Sequence, residues 1–188
     1  MNPLEFKDKT LAYDPHKPRN VVDYMKWLSA EETQKYLDER KLNFSVMIMN
    51  VQYDNNAGNI VRSANAFGAQ EILLYGHRKF DRRASVGAEF YSRFRHIKFV
   101  EDLDAVLGEF EEIVACENSA GAVPLKDFSW NPKKKTLMIF GQESEGIPPE
   151  ILKKCTAVVA IEQRGSVRSL NVAVAAGIMM NDYCTKVA

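Results

Sequence analysis

The chain has 188 residues, is 46% hydrophobic and 27% charged, and balances 25 Lys+Arg against 25 Asp+Glu. Those values fit one domain with an ordinary core and a small appendage, and exclude disordered and fibrous classes. A formal net charge of zero means that contact with a polyanion must come from local clustering of basic residues.

Residues 1–9 are polar and mixed in charge, without the apolar core of a signal peptide, and no apolar run reaches the ~20 residues of a membrane span. Cys116, Cys155 and Cys184 are far apart and form neither a metal knuckle nor a disulfide framework, which fits a reducing compartment. A cytoplasmic protein with no metal and no membrane partner is expected.

Pro3, Pro15 and Pro18 break the first stretch into turns or extended pieces. Ser29 with Glu32 three residues later reads as a capping box, predicting a helix from Ala30 to about Arg40. Its sparse apolar positions put it on a surface or toward a partner. Residues 1–42 therefore read as an N-terminal extension and 43–188 as the main domain.

From Phe44 the pattern becomes short apolar runs separated by helix-length segments. Strands are predicted at 44–50, 71–75, 111–116, 136–140 and 157–161. Helices are predicted at 57–67, ended by Gly68, and at 101–108, 148–154 and 171–185. This alternation implies an α/β fold, a parallel sheet with helices on both faces.

Such a sheet binds its ligand at the carboxyl ends of its strands. Three loops there are rich in Gly, Asn, Ser and Glu: 54–69 (DNNAGNIVRSANAFGA), 141–148 (GQESEGIP) and 163–178 (QRGSVRSLNVAVAAGI). Asn56 is suited to cap the helix beginning near Ala57, and Arg62, six residues on, is expected on nearly the same helical side as that cap and within reach of the loop mouth. The two glycines of GQESEG suit a backbone that approaches a ligand closely, but no Lys-Ser/Thr follows them, so the loop is not a phosphate-binding P-loop. Ser169, Leu170 and Asn171 precede a helix of small residues, against which another backbone can lie closely. The segment AGN at 57–59 does not supply the glycine turn of a dinucleotide-binding oxidoreductase.

NAGNIVRSANAFGA, IFGQESEGIP and IEQRGSVRSLNVAVAAGI resemble, in order and spacing, the three motifs of the SpoU/TrmH family within the SPOUT superfamily, over roughly residues 44–185. The resemblance implies an α/β fold with a C-terminal trefoil knot, bound S-adenosylmethionine, a homodimer, and methyl transfer to a ribose 2′-hydroxyl of tRNA or rRNA. It carries Asn56 and Arg62 over from the first motif, Glu143 from the second, and Ser169 and Asn171 from the third as the catalytic set. It assigns the donor pocket to Gly141, Gly146, Ile161, Ser169, Leu170 and Asn171. Glu162 and Gln163 depart from the Pro and Met that relatives often have there.

Residues 77–98 hold seven Lys/Arg against two acids, a local excess of +5, interleaved with Phe80, Phe90, Tyr91 and Phe94. Arg78, Lys79, Arg82, Arg83, Arg93 and Arg95 are therefore expected to meet RNA phosphates, with stacking from the aromatics; the alternative is a solvated loop-and-helix face with its aromatics in the core. The early basic residues Lys7, Lys9, His16, Lys17 and Arg19 either add contacts or pack on the dimer.

Overall fold

In a computed structural model, which describes residues 20–76 and 79–187, seven strands form one sheet. In chain order the elements are α1 (Ala30–Asp38), β1 (Phe44–Met49), α2 (Asp54–Ala66), β2 (Ile72–Tyr75), α3 (Arg82–Ser85), β3 (Phe94–Ile97), α4 (Glu101–Leu107), β4 (Glu112–Cys116), β5 (Val123–Pro124), β6 (Thr136–Phe140), α5 (Pro149–Leu152), β7 (Ala157–Ala160) and α6 (Val172–Val187). The early prolines, the basic residues up to Arg19, and Arg78 lie outside the described residues.

The strand order is β3-β2-β1-β6-β4-β7-β5, and every neighbouring pair is parallel. Side chains alternate between the faces of a strand, so a strand covered on both faces must be apolar throughout. The two central strands obey this, with every residue of FSVMIM and TLMIF buried. Val46, Ile48, Leu74, Val114, Met138 and Phe140 face Ile60, Val61 and Ala64 of α2 and Ala176, Met179 and Met180 of α6. Met47, Leu73, Ala115, Leu137 and Ile139 face Leu103, Val106 and Leu107 of α4 and Ile151 of α5.

The capping box is present at α1: Ser29 Oγ accepts from Glu32 N at 3.2 Å, and Glu32 Oε2 accepts from Ser29 N at 2.7 Å. Gly68, at φ +73, ends α2 in the left-handed region, and its carbonyl accepts from Leu42 N at 2.8 Å, tying the end of the extension to the domain.

Two expectations change. The stretch 94–97, read as part of a basic face, is an edge strand in which Phe94 and Ile97 are buried. Its two polar central residues hid the strand, because an edge position leaves their side chains at the rim. Helix α2 starts at Asp54, not near Ala57, and the backbone-capping position is Tyr53, whose side chain makes no cap. Asn56 thus lies inside the first turn, and its amide is used elsewhere.

β7 is separated from β1 by β4 and β6, yet α6 packs on α2, the helix that follows β1. Residues 161–171 must therefore pass back over the carboxyl ends of β4 and β6. Phe44, fully buried, anchors the return through a tilted ring contact with Tyr183 of α6 at 4.9 Å. Phe44→Ala is expected to lower unfolding stability by about 3–5 kcal/mol, read from urea denaturation. A loss below ~1 kcal/mol would mean that this contact does not hold the sheet to α6.

Candidate active site

The three polar loops meet at one edge because the parallel sheet puts the carboxyl ends of β1, β6 and β7 on the same side. Their meeting point is Asn56, a polar residue left only 8% exposed. A carboxylate can only accept hydrogen bonds, so the orientation of the Asn56 amide beside Glu143 is fixed by chemistry. Asn56 Nδ2 donates to Glu143 Oε1 at 2.7 Å, and its Oδ1 accepts from Asn171 Nδ2 at 3.0 Å. Asn171 Oδ1 in turn accepts from Ala173 N at 2.9 Å and Val174 N at 3.3 Å, capping α6.

Glu143 Oε2 also accepts from the backbone N–H of Gln52 at 2.9 Å, and the Gln52 side chain donates to Ser144 Oγ at 3.0 Å. Gln52 and Ser144 were not singled out in the sequence. Their proximity to the family motif was the available signal. The second loop folds on itself through Gln142 N to Gly146 O at 3.2 Å and Gly146 N to Gln142 O at 2.9 Å. A Cβ at Gly141 would stand 2.5 Å from the carbonyl carbon of Gly146, and Gly146 has φ +68. Closure of this turn is thus reason enough for both glycines.

Arg62 and Ser169 are exposed, and their side chains share no hydrogen bond with the network or with any other described residue. Arg62 does not share a helical side with Asn56 as expected: six residues along a helix is a rotation of about 120°, so Arg62 leaves α2 toward solvent while Asn56 turns inward. Leu170 and Ile161 are half-buried, and Ile161 packs against the core between α2 and α6. The structure therefore joins Asn56, Glu143 and Asn171, and leaves Arg62 and Ser169 uncommitted beside them.

Cys116, at the end of β4, is pushed up to about 12 by burial first and by the Glu117 charge second. Burial likewise raises Cys155 to about 11. Both stay protonated at neutral pH and are poor nucleophiles. Among the described residues no group of three His, Cys, Asp or Glu is arranged to hold a metal ion.

The basic stretch is largely paired within the protein. Arg82 Nε meets Glu89 at 3.0 Å, and the carboxylate of Glu89 is only 2% exposed and also accepts from Ser85 Oγ. Arg83 forks onto Asp81, and Arg93 meets Asp38 at 2.6 Å. Arg95, 16% exposed, bonds both Glu71 and Glu109. Phe80 stacks on Phe94 at 5.6 Å, Tyr91 is buried, and Phe90 lies under the guanidinium of Arg82 at 4.9 Å. Lys79 is exposed, and the Arg83 side chain is 92% exposed.

A wholly parallel sheet with an amide–carboxylate network centred on a buried Asn across three strand ends defines an α/β protein whose ligand site lies on that edge. The profile of the SpoU rRNA Methylase family matches residues 43–181, and the chain belongs to that family. It is 28% identical over 154 residues to a tRNA (guanosine(18)-2′-O)-methyltransferase of Aquifex aeolicus, covering 78% of this chain and 71% of that one. It is 24% identical over 155 residues to the tRNA (cytidine-2′-O-)-methyltransferase TrmJ of Methanocaldococcus jannaschii, covering 76% of this chain and 67% of that one. Among solved structures, the AdoMet-bound rRNA methyltransferase from Sinorhizobium meliloti matches with a TM-score of 0.70 at 27% identity. That match covers 77% of this chain, which spans 57% of the other's length. The A. aeolicus TrmH/SpoU tRNA modifying enzyme has the same fold, with a TM-score of 0.74 at 24% identity over 84% of this chain and 81% of that one.

The network gives a direct test. Asn56→Asp replaces the donor facing Glu143 with a second carboxylate, which should cost about 1–3 kcal/mol of stability at pH 8. Like charges raise the folded-state pKa of the pair above its unfolded value, so the loss should shrink as pH falls and one member takes a proton. Thermal unfolding between pH 5 and 8 measures this; a penalty independent of pH would count against direct apposition of the two groups.

Proposed function

We propose that this protein transfers a methyl group from S-adenosylmethionine to a ribose 2′-hydroxyl of RNA. The observation that carries the reading is the Asn171–Asn56–Glu143 chain of hydrogen bonds, which draws all three family motifs to one strand-end site. The fit of a donor rests on Gly141, Gly146, Ile161, Ser169, Leu170 and Asn171 around that site. It also rests on Gln163, whose Oε1 is buried without a hydrogen-bond partner just beyond β7. That oxygen is an open acceptor, suited to an amine of the donor.

The sulfonium of such a donor supplies an already activated methyl group, so the protein's work is alignment and charge. Orientation of this kind contributes ~7–11 kcal/mol in favourable systems. Arg62 is an exposed guanidinium without a partner among the described residues. It is free to meet the ribose oxygen and its phosphate, favouring the developing oxyanion through its planar donor fork while the hydroxyl proton passes to the RNA phosphate, since a guanidinium is already protonated. Glu143 has both oxygens committed to Asn56 and Gln52, and so orients the loops rather than moving a proton. Asn171 couples that network to α6, and the exposed hydroxyl of Ser169 is available to the ribose. A cytoplasmic enzyme agrees with this substrate, and among the described residues no helix is long and apolar enough to cross a membrane.

The trefoil knot belongs to the same reading, supported by the return of 161–171 over the ends of β4 and β6. So does the homodimer. Val174 and Ile178 are 51% and 37% exposed on one stripe of α6, and a Cβ added at Gly177 would meet nothing within 4 Å. A second copy would cover that stripe by close helix approach. Sedimentation at micromolar concentration is expected to give twice the 21.3 kDa chain mass; a 21.3 kDa species alone refutes the dimer.

Of the proposed RNA-contacting residues, Lys79 and Arg83 are the better test, because removing Arg82 would leave the buried Glu89 without its cation and removing Arg95 would break its ties to Glu71 and Glu109. Replacing both with Ala should weaken RNA binding and flatten its dependence on salt, with donor affinity unchanged. An unaltered salt slope removes this face from the RNA site.

Arg62→Ala should reduce single-turnover methyl transfer on the order of 10²-fold or more while calorimetric donor binding persists. Arg62→Lys should rescue little, since a point charge lacks the fork. Transfer at near the normal rate in Arg62→Ala would defeat the assignment.

A further inference from the structure

Glu117 leaves the carboxyl end of β4, the strand lying between β6 and β7, so it sits between the roots of the second and third loops. No motif in the sequence includes it. Its own N–H donates to Val159 O on β7 at 3.1 Å, which fixes its backbone to the neighbouring strand. Its carboxylate then grips the second loop: Oε2 accepts from Ile147 N at 3.0 Å, while Oε1 accepts from Asn118 N at 3.1 Å. A Cβ at Gly146 would stand 2.5 Å from Oε2, so the glycine leaves the carboxylate the room it uses. The next residue grips the third loop, with Asn118 Nδ2 donating to Arg168 O at 3.2 Å.

Each loop is thus tied at two points. The second is held at Glu143 by Asn56 and Gln52, and at Ile147 by Glu117. The third is held at Asn171 by Asn56 and at Arg168 by Asn118. The space between these ties is where the donor pocket of the proposed function lies. Glu117 is half-buried, accepts only from backbone N–H groups, and has no Lys or Arg partner among the described residues. Its charge is therefore uncompensated, in a setting where solvent screens less than in bulk water. A pocket bordered by such a charge favours a cationic ligand over a neutral one of the same shape.

We infer that Glu117 is a positioning residue of the donor pocket: with Asn118 it clamps the second and third loops, and its unpaired carboxylate makes the pocket prefer the sulfonium donor to its neutral demethylated product. This rests on the methyl-donor reading above. Calorimetric titration of S-adenosylmethionine and of S-adenosylhomocysteine into the full chain tests it, using the wild type, Glu117→Gln and Asn118→Ala. Glu117→Gln removes the charge and one of the two acceptors. It should weaken the donor on the order of 10-fold and the product at most about 3-fold, lowering the ratio between them. Asn118→Ala loosens the clamp without altering charge, and should weaken both ligands alike by a few-fold. In Glu117→Gln the single-turnover rate at saturating donor should stay within about 3-fold of wild type, a KM effect without a matching kcat effect. Unchanged affinities, or an equal loss for both ligands in Glu117→Gln, overturn the inference while leaving the donor reading intact. A wild type that binds neither ligand defeats both.

Discussion

Asn56 is the residue on which the edge of this sheet depends. It is buried, so each end of its amide must be matched, and it meets one group that only accepts and one that donates. The result is a directed chain from Asn171 through Asn56 to Glu143, with no freedom to reverse. Loss of Glu143 or Asn171 would leave one end of the buried Asn56 amide unpaired, which costs more than the bond itself contributes. Asn171 also caps α6, so packing of that helix on α2 and ordering of the third loop are parts of one event.

The sheet makes this possible because parallel strands deliver all their carboxyl ends to one edge. The central strands β1 and β6 are buried on both faces and hold that edge rigidly, while the loops above them carry the polar residues. Burial at the edge also decides what chemistry is excluded. Cys116 lies close to the site, yet burial and the neighbouring Glu117 charge keep its thiol protonated.

Charge is organised on the same plan. The balanced composition is realised as ion pairs, with Arg82, Arg83, Arg93 and Arg95 each set against an acidic partner. The Arg83–Asp81 pair is exposed, and such pairs contribute little to stability and open at little cost, so a polyanion can compete for Arg83. Arg95 differs: it is mostly buried between Glu71 and Glu109, where it joins the edge strand β3 to the rest of the molecule.

By itself the sequence determined whatever rests on local order. The strand over 136–140 and the capping box at Ser29 were legible there because periodicity and backbone caps act over a few residues. The site residues were legible as a family resemblance, which named Asn56, Glu143 and Asn171 without giving their partners. Only the tertiary structure decided those partners, since the bonds span 87 and 115 residues along the chain. It also decided that Asn56 is a buried link and not a helix cap, that 94–97 is an edge strand, and that Glu117 reaches a loop 30 residues away. A side chain with two possible hydrogen-bonding roles takes the one that its distant neighbours leave open, and composition and spacing hold no record of those neighbours.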